Sequence, residues 1–185
     1  MELTAEIVRE LLYYNPNTGK LFWKERPLKY FKNEVDARKW NTRYAGKEAF
    51  ICKERDYYSK HVKIKRKVGT IFEKRYSAHR VIWLYYYGCW PKDQIDHINH
   101  DPTDNRIINL REVSHTENQK NRTLNKNSTT GYTGVSWYEK ENKYRARIKI
   151  NRKEIHLGSY ASLEEAVEAR HLANINYNFH PNHGK

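Results

Sequence analysis

Gln94-Ile95-Asp96-His97-Ile98, the loop Asn99–Arg106, Ile107-Ile108-Asn109-Leu110-Arg111-Glu112-Val113 and Ser114-His115-Thr116-Glu117-Asn118 follow one another without interruption. The first run reads as a strand. The loop is dense in Asn, Asp and Pro, as tight turns require, and Ile107–Val113 reads as a strand returning beside the first. Ser114-x-x-Glu117 is a capping box, so a helix is expected to begin there. The order is therefore hairpin, then helix. Neighbouring residues in a strand point to opposite faces, so Asp96 and His97 divide their work: one can ligate a metal while the other faces a substrate water. Asn118 falls in the first turns of the following helix. Asp96 and Asn118 together offer two oxygen ligands suited to Mg²⁺, leaving positions for water and phosphate oxygens. A histidine near neutral pKa and a divalent cation are what a phosphodiester-cleaving site needs.

Upstream, Ala78–Tyr87 reads as a short helix closed by Gly88. Its apolar residues run almost all round, so burial is expected. At the chain's start, Thr4 is an N-cap for a helix carrying Ile7, Val8, Leu11 and Leu12. Asn15-Pro16-Asn17-Thr18-Gly19 turns the chain, and Leu21-Phe22-Trp23 reads as a strand. His61-Val62-Lys63-Ile64-Lys65 alternates as a second strand, with its lysines on one face.

Downstream, Asn125–Gly131 is polar and rich in small residues, and reads as a linker. Beyond it Tyr144, Ala146, Ile148 and Ile150 alternate with Arg145, Arg147 and Lys149, and Ile155 and Leu157 continue the apolar set. Ser162-Leu163-Glu164-Glu165 is a second capping box. The helix after it carries Leu163, Ala166, Val167, Arg170, Ala173 and Tyr177 at spacings of three and four. Three strands with one helix on one face are expected, leaving the other face basic.

Composition sets the outer bounds. The chain has 185 residues with 35 Lys and Arg against 22 Asp and Glu, a net charge of +13. Residues 1–75 carry +9, 76–127 carry +1 and 128–185 carry +3, so basic flanks surround a balanced centre. That pattern points to a polyanion, with nucleic acid as the first candidate. The 14% aromatic content speaks for folded modules despite a mean hydropathy of −1.04. No apolar run approaches a membrane span. The first residues lack the basic and apolar regions of a signal peptide, so a cytoplasmic location is expected. Cys52 and Cys89 lie far apart, which excludes zinc ribbons and disulfide scaffolds, and both are expected to be buried thiols.

Asp96-His97-Ile98-Asn99, Asp104-Asn105, Asn109-Leu110-Arg111 and Glu117-Asn118-Gln119-Lys120-Asn121, with the upstream Ala78-His79-Arg80-Val81-Ile82-Trp83 and Gly88, resemble the HNH endonuclease motif. The similarity covers 76–122 and is nearest the phage and intron-encoded homing type, in which asparagine replaces the final histidine. The resemblance implies that His97 is the general base and that Asp96 and Asn118 are ligands of Mg²⁺ or Mn²⁺. It places Asn109 as the central asparagine that holds the hairpin loop near the base. It also implies hydrolysis by a His97-activated water, leaving 5′-phosphate and 3′-hydroxyl ends. His79 is expected to pack; His100 and His115 are expected on the loop and helix surface, with His115 a possible competitor as ligand.

Gly131-Tyr132-Thr133-Gly134-Val135-Ser136-Trp137, Tyr144-Arg145-Ala146-Arg147-Ile148, His156-Leu157-Gly158-Ser159-Tyr160 and Glu164-Glu165-Ala166 resemble an AP2 DNA-binding domain over 129–178. In that family the exposed sheet face enters the major groove, which implies DNA contacts from Ser136, Tyr138, Arg145, Arg147, Lys149, Arg152 and His156. Residues 13–23 and 40–46 bear a looser resemblance to the N-terminal region of phage HNH endonucleases. The expected fold class is α+β: a β-rich, basic support region over 1–75, a ββα-metal nuclease core over 76–125, and an AP2-like domain over 129–185. The expected partner is double-stranded DNA, with no membrane and a monomer favoured. Two other classes stay open: a DNA-binding regulator that uses the hairpin as a scaffold, and an RNA-binding protein.

Overall fold

The computed structural model describes residues 2–56 and 63–185, which form helices and small antiparallel sheets in an α+β arrangement. His61, Val62 and the Cys52 side chain lie outside the described residues. Two compact units divide between Glu112 and Val113. No helix among the described residues is long and apolar enough to cross a membrane.

In the first unit, helix α1 (Ala5–Leu11) is capped by Thr4, whose hydroxyl accepts from the Ile7 amide. Its C-cap, Leu12, is already extended, so the helix runs directly into strand β1 (Leu12–Asn15). Strand β2 (Lys20–Trp23) returns antiparallel, Leu12 opposite Trp23 and Asn15 opposite Lys20. The turn between them is built by Asn15, whose Oδ1 accepts from the amides of Asn17 and Thr18 at 3.0 and 3.3 Å. Strand β3 (Glu48–Ala49) completes this sheet.

Helix α2 (Glu34–Tyr44) is an element that the apolar spacing does not announce: only Ala37 is buried. Its docking is instead aromatic and cationic. The Arg26 guanidinium lies 4.0 Å from the centre of the Trp40 ring and within 6 Å of Trp23, Phe31 and Phe72. Asn41 clamps the Arg26 backbone from both sides, accepting from its amide at 2.9 Å and donating to its carbonyl at 3.1 Å. Helices α1 and α2 stand beside the strands of this region.

Strands β4 (Cys52–Asp56), β5 (Lys63–Ile71) and β6 (Lys74–Ser77) form a second antiparallel sheet. Helix α3 (Ala78–Tyr87) follows and ends on Gly88 at φ +80°, a conformation that glycine adopts without strain. It buries Ala78, Val81, Ile82 and Leu84, but Tyr86 and Tyr87 are exposed, so burial is one-sided rather than complete. Cys89, expected inside, is an exposed free thiol because it sits beyond the helix end. Strand β7 (Gln94–His97) pairs with β8 (Leu110–Val113). The expected strand at Ile107 begins later, since Ile107–Asn109 forms a 3₁₀ turn.

Val8, Leu11, Leu12 and Leu21 share one core with Ile71, Val81, Ile82, Leu84 and Leu110. A boundary at 75/76 therefore has no counterpart in the packing. Burying a side chain of this size contributes about 1.5–3 kcal/mol.

The second unit holds helix α4 (His115–Gln119), which starts on the Ser114–Glu117 capping box. Strands β9 (Val135–Tyr138), β10 (Lys143–Ile150) and β11 (Lys153–Tyr160) form an antiparallel sheet in the order β11-β10-β9. Helix α5 (Leu163–Asn176), with its own capping box at Ser162 and Glu165, packs Ala166 against Val135 and Ala146. Arg170, on the buried stripe of α5, donates to the Arg147 carbonyl; burial lowers its pKa to about 10. The C-terminal tail bonds back to the exit of α4: the His180, Gly184 and Leu124 amides donate to the carbonyls of Lys120, Arg122 and Lys185. This is why residues 113–124 group with the second unit, ahead of the linker expected at 125–131.

Candidate active site

The hairpin of β7 and β8 is clamped before any chemistry is considered. Arg80 of α3 donates to the Pro91 and Asp93 carbonyls at 3.2 Å each, fixing the approach to β7. The Asp93 amide donates to Glu112 Oε1 at 2.7 Å, and the Ile98 amide to the Asn109 carbonyl at 3.0 Å.

Asp96 and His97 leave this frame in opposite directions. Asp96 is 9% exposed, and its Oδ2 accepts from Arg111 Nε at 3.0 Å and Nη2 at 2.8 Å. Such a charge-assisted pair gives a carboxylate withdrawn from water two strong donors in place of hydration. On the other face, His97 Nε2 lies 2.9 Å from Asn105 Oδ1. Asn105 is 1% exposed, and its Nδ2 donates to the Thr103 carbonyl at 3.4 Å, which turns Oδ1 toward the imidazole. An amide oxygen only accepts, so Nε2 is the nitrogen that donates in this contact. His79 meets the same ring edge-on at 5.3 Å. Burial, and then the nearby charges of His97, Arg66 and Arg80, push the His79 pKa down to about 3. Its ring is thus neutral, and a charge on His97 meets no second imidazolium.

Asn109, 6% exposed, spans the loop. Its Nδ2 donates to Asn99 Oδ1 at 2.9 Å and to the Asp104 carbonyl at 2.8 Å, while its Oδ1 accepts from the Asn99 amide at 3.0 Å. Arg106 bonds Asp104 at 2.7 Å and holds its carboxyl down to about 2. His100 turns the loop at φ +65°.

Asn118 lies on α4, in the second unit, with its amide on the Ser114 carbonyl at 2.9 Å. On the same helix the Gln119 side-chain amide meets His115 Nε2 at 2.8 Å. Among the described residues no group of three or more His, Cys, Asp or Glu stands together as a metal site. Oxygen donors of the Asp96 and Asn118 type, a carboxylate and an amide, fit Mg²⁺ chemically.

On the second unit's sheet, Arg147 and Lys149 are exposed while Ala146 and Ile148 are buried, as alternation requires. Arg147 stands opposite His156, donates to Ser136 Oγ at 3.4 Å and pairs with Glu154 at 3.3 Å. Arg145 is half-buried: its guanidinium lies 3.2 Å from the centre of the Tyr138 ring and pairs with Glu141 at 2.7 Å. Arg152 belongs to the tight turn Asn151-Arg152, at φ +68°, and not to a strand face.

Three contributors escaped the sequence reading. Arg111 looked like part of a motif, not like the partner of Asp96. Asn105 looked like a turn residue. Tyr14 is buried in β1, where its hydroxyl donates to the Asn105 carbonyl at 3.1 Å and accepts from the Ile107 amide at 2.8 Å. The alternation of exposed Tyr13 with buried Tyr14 was the only local signal.

The hairpin thus buries an aspartate on one face, presents an amide-anchored histidine on the other and is laced by an asparagine. Residues 76–120 match the HNH endonuclease family, so the chain carries an HNH endonuclease domain over those residues. A relative is protein 3.8 of Escherichia phage T7, 31% identical over 100 residues, which are 54% of this chain and 83% of that protein. No solved structure matches the chain significantly.

Proposed function

We propose that the protein is a metal-dependent DNA endonuclease of the homing type, with His97 as general base. The observation that carries this reading is the contact between His97 Nε2 and Asn105 Oδ1. It supports an imidazole held in one orientation by Asn105, as a general base that takes a proton from an attacking water requires. Attack in line with the leaving 3′ oxygen gives 5′-phosphate and 3′-hydroxyl ends. Asn109 keeps the loop that carries Asn105 at the base. Asp96 and Asn118 would hold Mg²⁺ or Mn²⁺, Asp96 with Arg111 fixing the direction of its carboxylate. When bound, the cation supplies charge neutralisation at the phosphodiester.

The second unit's sheet is read as an AP2-like targeting face on double-stranded DNA, through Ser136, Tyr138, Arg145, Arg147, Lys149, Arg152 and His156. Long basic side chains on alternate strand positions suit a phosphate track or a groove. Supercoiled plasmid incubated with the protein and Mg²⁺ is expected to be nicked, EDTA to stop the reaction, and Mg²⁺ or Mn²⁺ to restore it. Cleavage of RNA alone, or full activity in chelator, overturns the reading.

A further inference from the structure

We propose that Tyr14 and Gly19, on the N-terminal hairpin of β1 and β2, are positioning residues for His97 and act on it through Asn105. The inference rests on the reading of His97 as general base. Its observations are separate from that reading, since Tyr14 and Gly19 lie outside residues 76–120, over which the HNH domain is matched.

Tyr14 is 4% exposed, and its hydroxyl bonds to the backbone on both sides of Arg106. It donates to the Asn105 carbonyl and accepts from the Ile107 amide. Asn105 thus has its backbone held by Tyr14 and its side chain set on His97. The second hold is steric. A Cβ on Gly19 would lie 2.5 Å from the Arg106 nitrogen and 2.6 Å from the Asn105 carbonyl carbon. The turn therefore rests directly on the backbone it supports, and no side chain fits between them. Gly19 is also at φ +66°, but the close approach is the stronger constraint.

The chain of contacts runs from Tyr14 hydroxyl to Asn105 carbonyl, along one residue to Asn105 Oδ1, and on to His97 Nε2. Removing the hydroxyl leaves the buried Asn105 carbonyl and Ile107 amide without that partner, so the loop shifts to satisfy them. A small displacement of the amide turns the imidazole away from the line of attack, and misplacement of this kind lowers turnover more than binding.

The test uses the full chain and supercoiled plasmid with Mg²⁺. Tyr14→Phe is expected to lower kcat by ~10-fold, with KM for DNA within about twofold of the wild type. Tyr13→Phe, on the exposed face of the same strand, serves as the control with kcat unchanged. Nitrogen-15 NMR of the His97 ring is expected to show a sharp Nε2–H correlation in the wild type that broadens in Tyr14→Phe. Gly19→Ala and Gly19→Asn carry the argument should Tyr14→Phe not fold. If only positive φ mattered, asparagine would do better than alanine; the close contact makes both lose kcat equally. Unchanged kcat and an unchanged His97 signal in Tyr14→Phe overturn the proposal while leaving a nicking wild type, and hence the nuclease reading, intact. A wild type that does not nick overturns the nuclease reading instead, and the NMR comparison still decides whether Tyr14 orients His97.

Discussion

Arg111 places two N–H donors on a single oxygen of Asp96, Oδ2, from the facing strand of the hairpin. The pair lies inside the protein, with the aspartate side chain 10% and the arginine side chain 29% exposed. Removing one partner leaves a charge without compensation, a change that costs about 3–5 kcal/mol when burial is complete. Arg111→Leu is therefore expected to destabilise the first unit by ~2–4 kcal/mol in urea unfolding. Asp96→Asn is expected to abolish cleavage while costing less stability, because the Arg111 charge it leaves is 29% exposed and reaches water. Retention of activity by Asp96→Asn would remove the aspartate from the proposed metal site.

His97→Ala is expected to lower the cleavage rate by ~10²–10⁴-fold, the usual loss for a general base. DNA affinity should stay near the wild-type value, as measured by gel shift in Ca²⁺. A variant that turns over at the wild-type rate would show that another group takes the proton.

The His79 ring gives a pH dependence with a definite sign. In the unfolded chain it titrates near 6.5, whereas burial lowers it to about 3 in the fold. Below pH 6.5 the unfolded state takes up a proton that the folded state refuses. Stability is thus expected to fall as pH drops from about 6.5 towards 3, by at most about 1.4 kcal/mol per pH unit, with no contribution above that window. His79→Leu should flatten the slope in this range. An unchanged slope in urea unfolding at pH 4 to 7 would mean that His79 is protonated in the fold.

The exposed basic face of the second sheet yields to a salt series. Arg147 and Glu154 are 44% and 57% exposed, and a pair so wet costs little to break when a phosphate arrives. Replacing Arg145, Arg147 and Lys149 with alanine is expected to make the log–log salt slope shallower by about 3 if all three meet phosphates, at ~0.9 per contact. If one of them reads a base, the slope changes less and discrimination at one position relaxes by roughly 1–3 kcal/mol. No change in affinity, slope or preference would make this face a solvated surface and end the targeting role.

What was legible in the sequence was local. The capping boxes at Ser114 and Ser162, the left-handed stop at Gly88, the turn after Asn15 and the alternation of Ala146 and Ile148 with Arg147 and Lys149 are each settled within a few residues. The opposite directions of Asp96 and His97 follow likewise from strand geometry. Helix α2 was hidden because its anchor, the aromatic surround of Arg26, is drawn from Trp23, Phe31, Trp40 and Phe72 and leaves no apolar period in the helix itself. Only the tertiary structure decided that residues before 76 share a core with the nuclease hairpin, that Arg111 turns onto Asp96, and that Tyr14 reaches Asn105 across 91 positions of chain. Periodicity tells which face of an element is buried, but not against which partner. A single hydroxyl or guanidinium finds that partner only once the core has brought the two segments together.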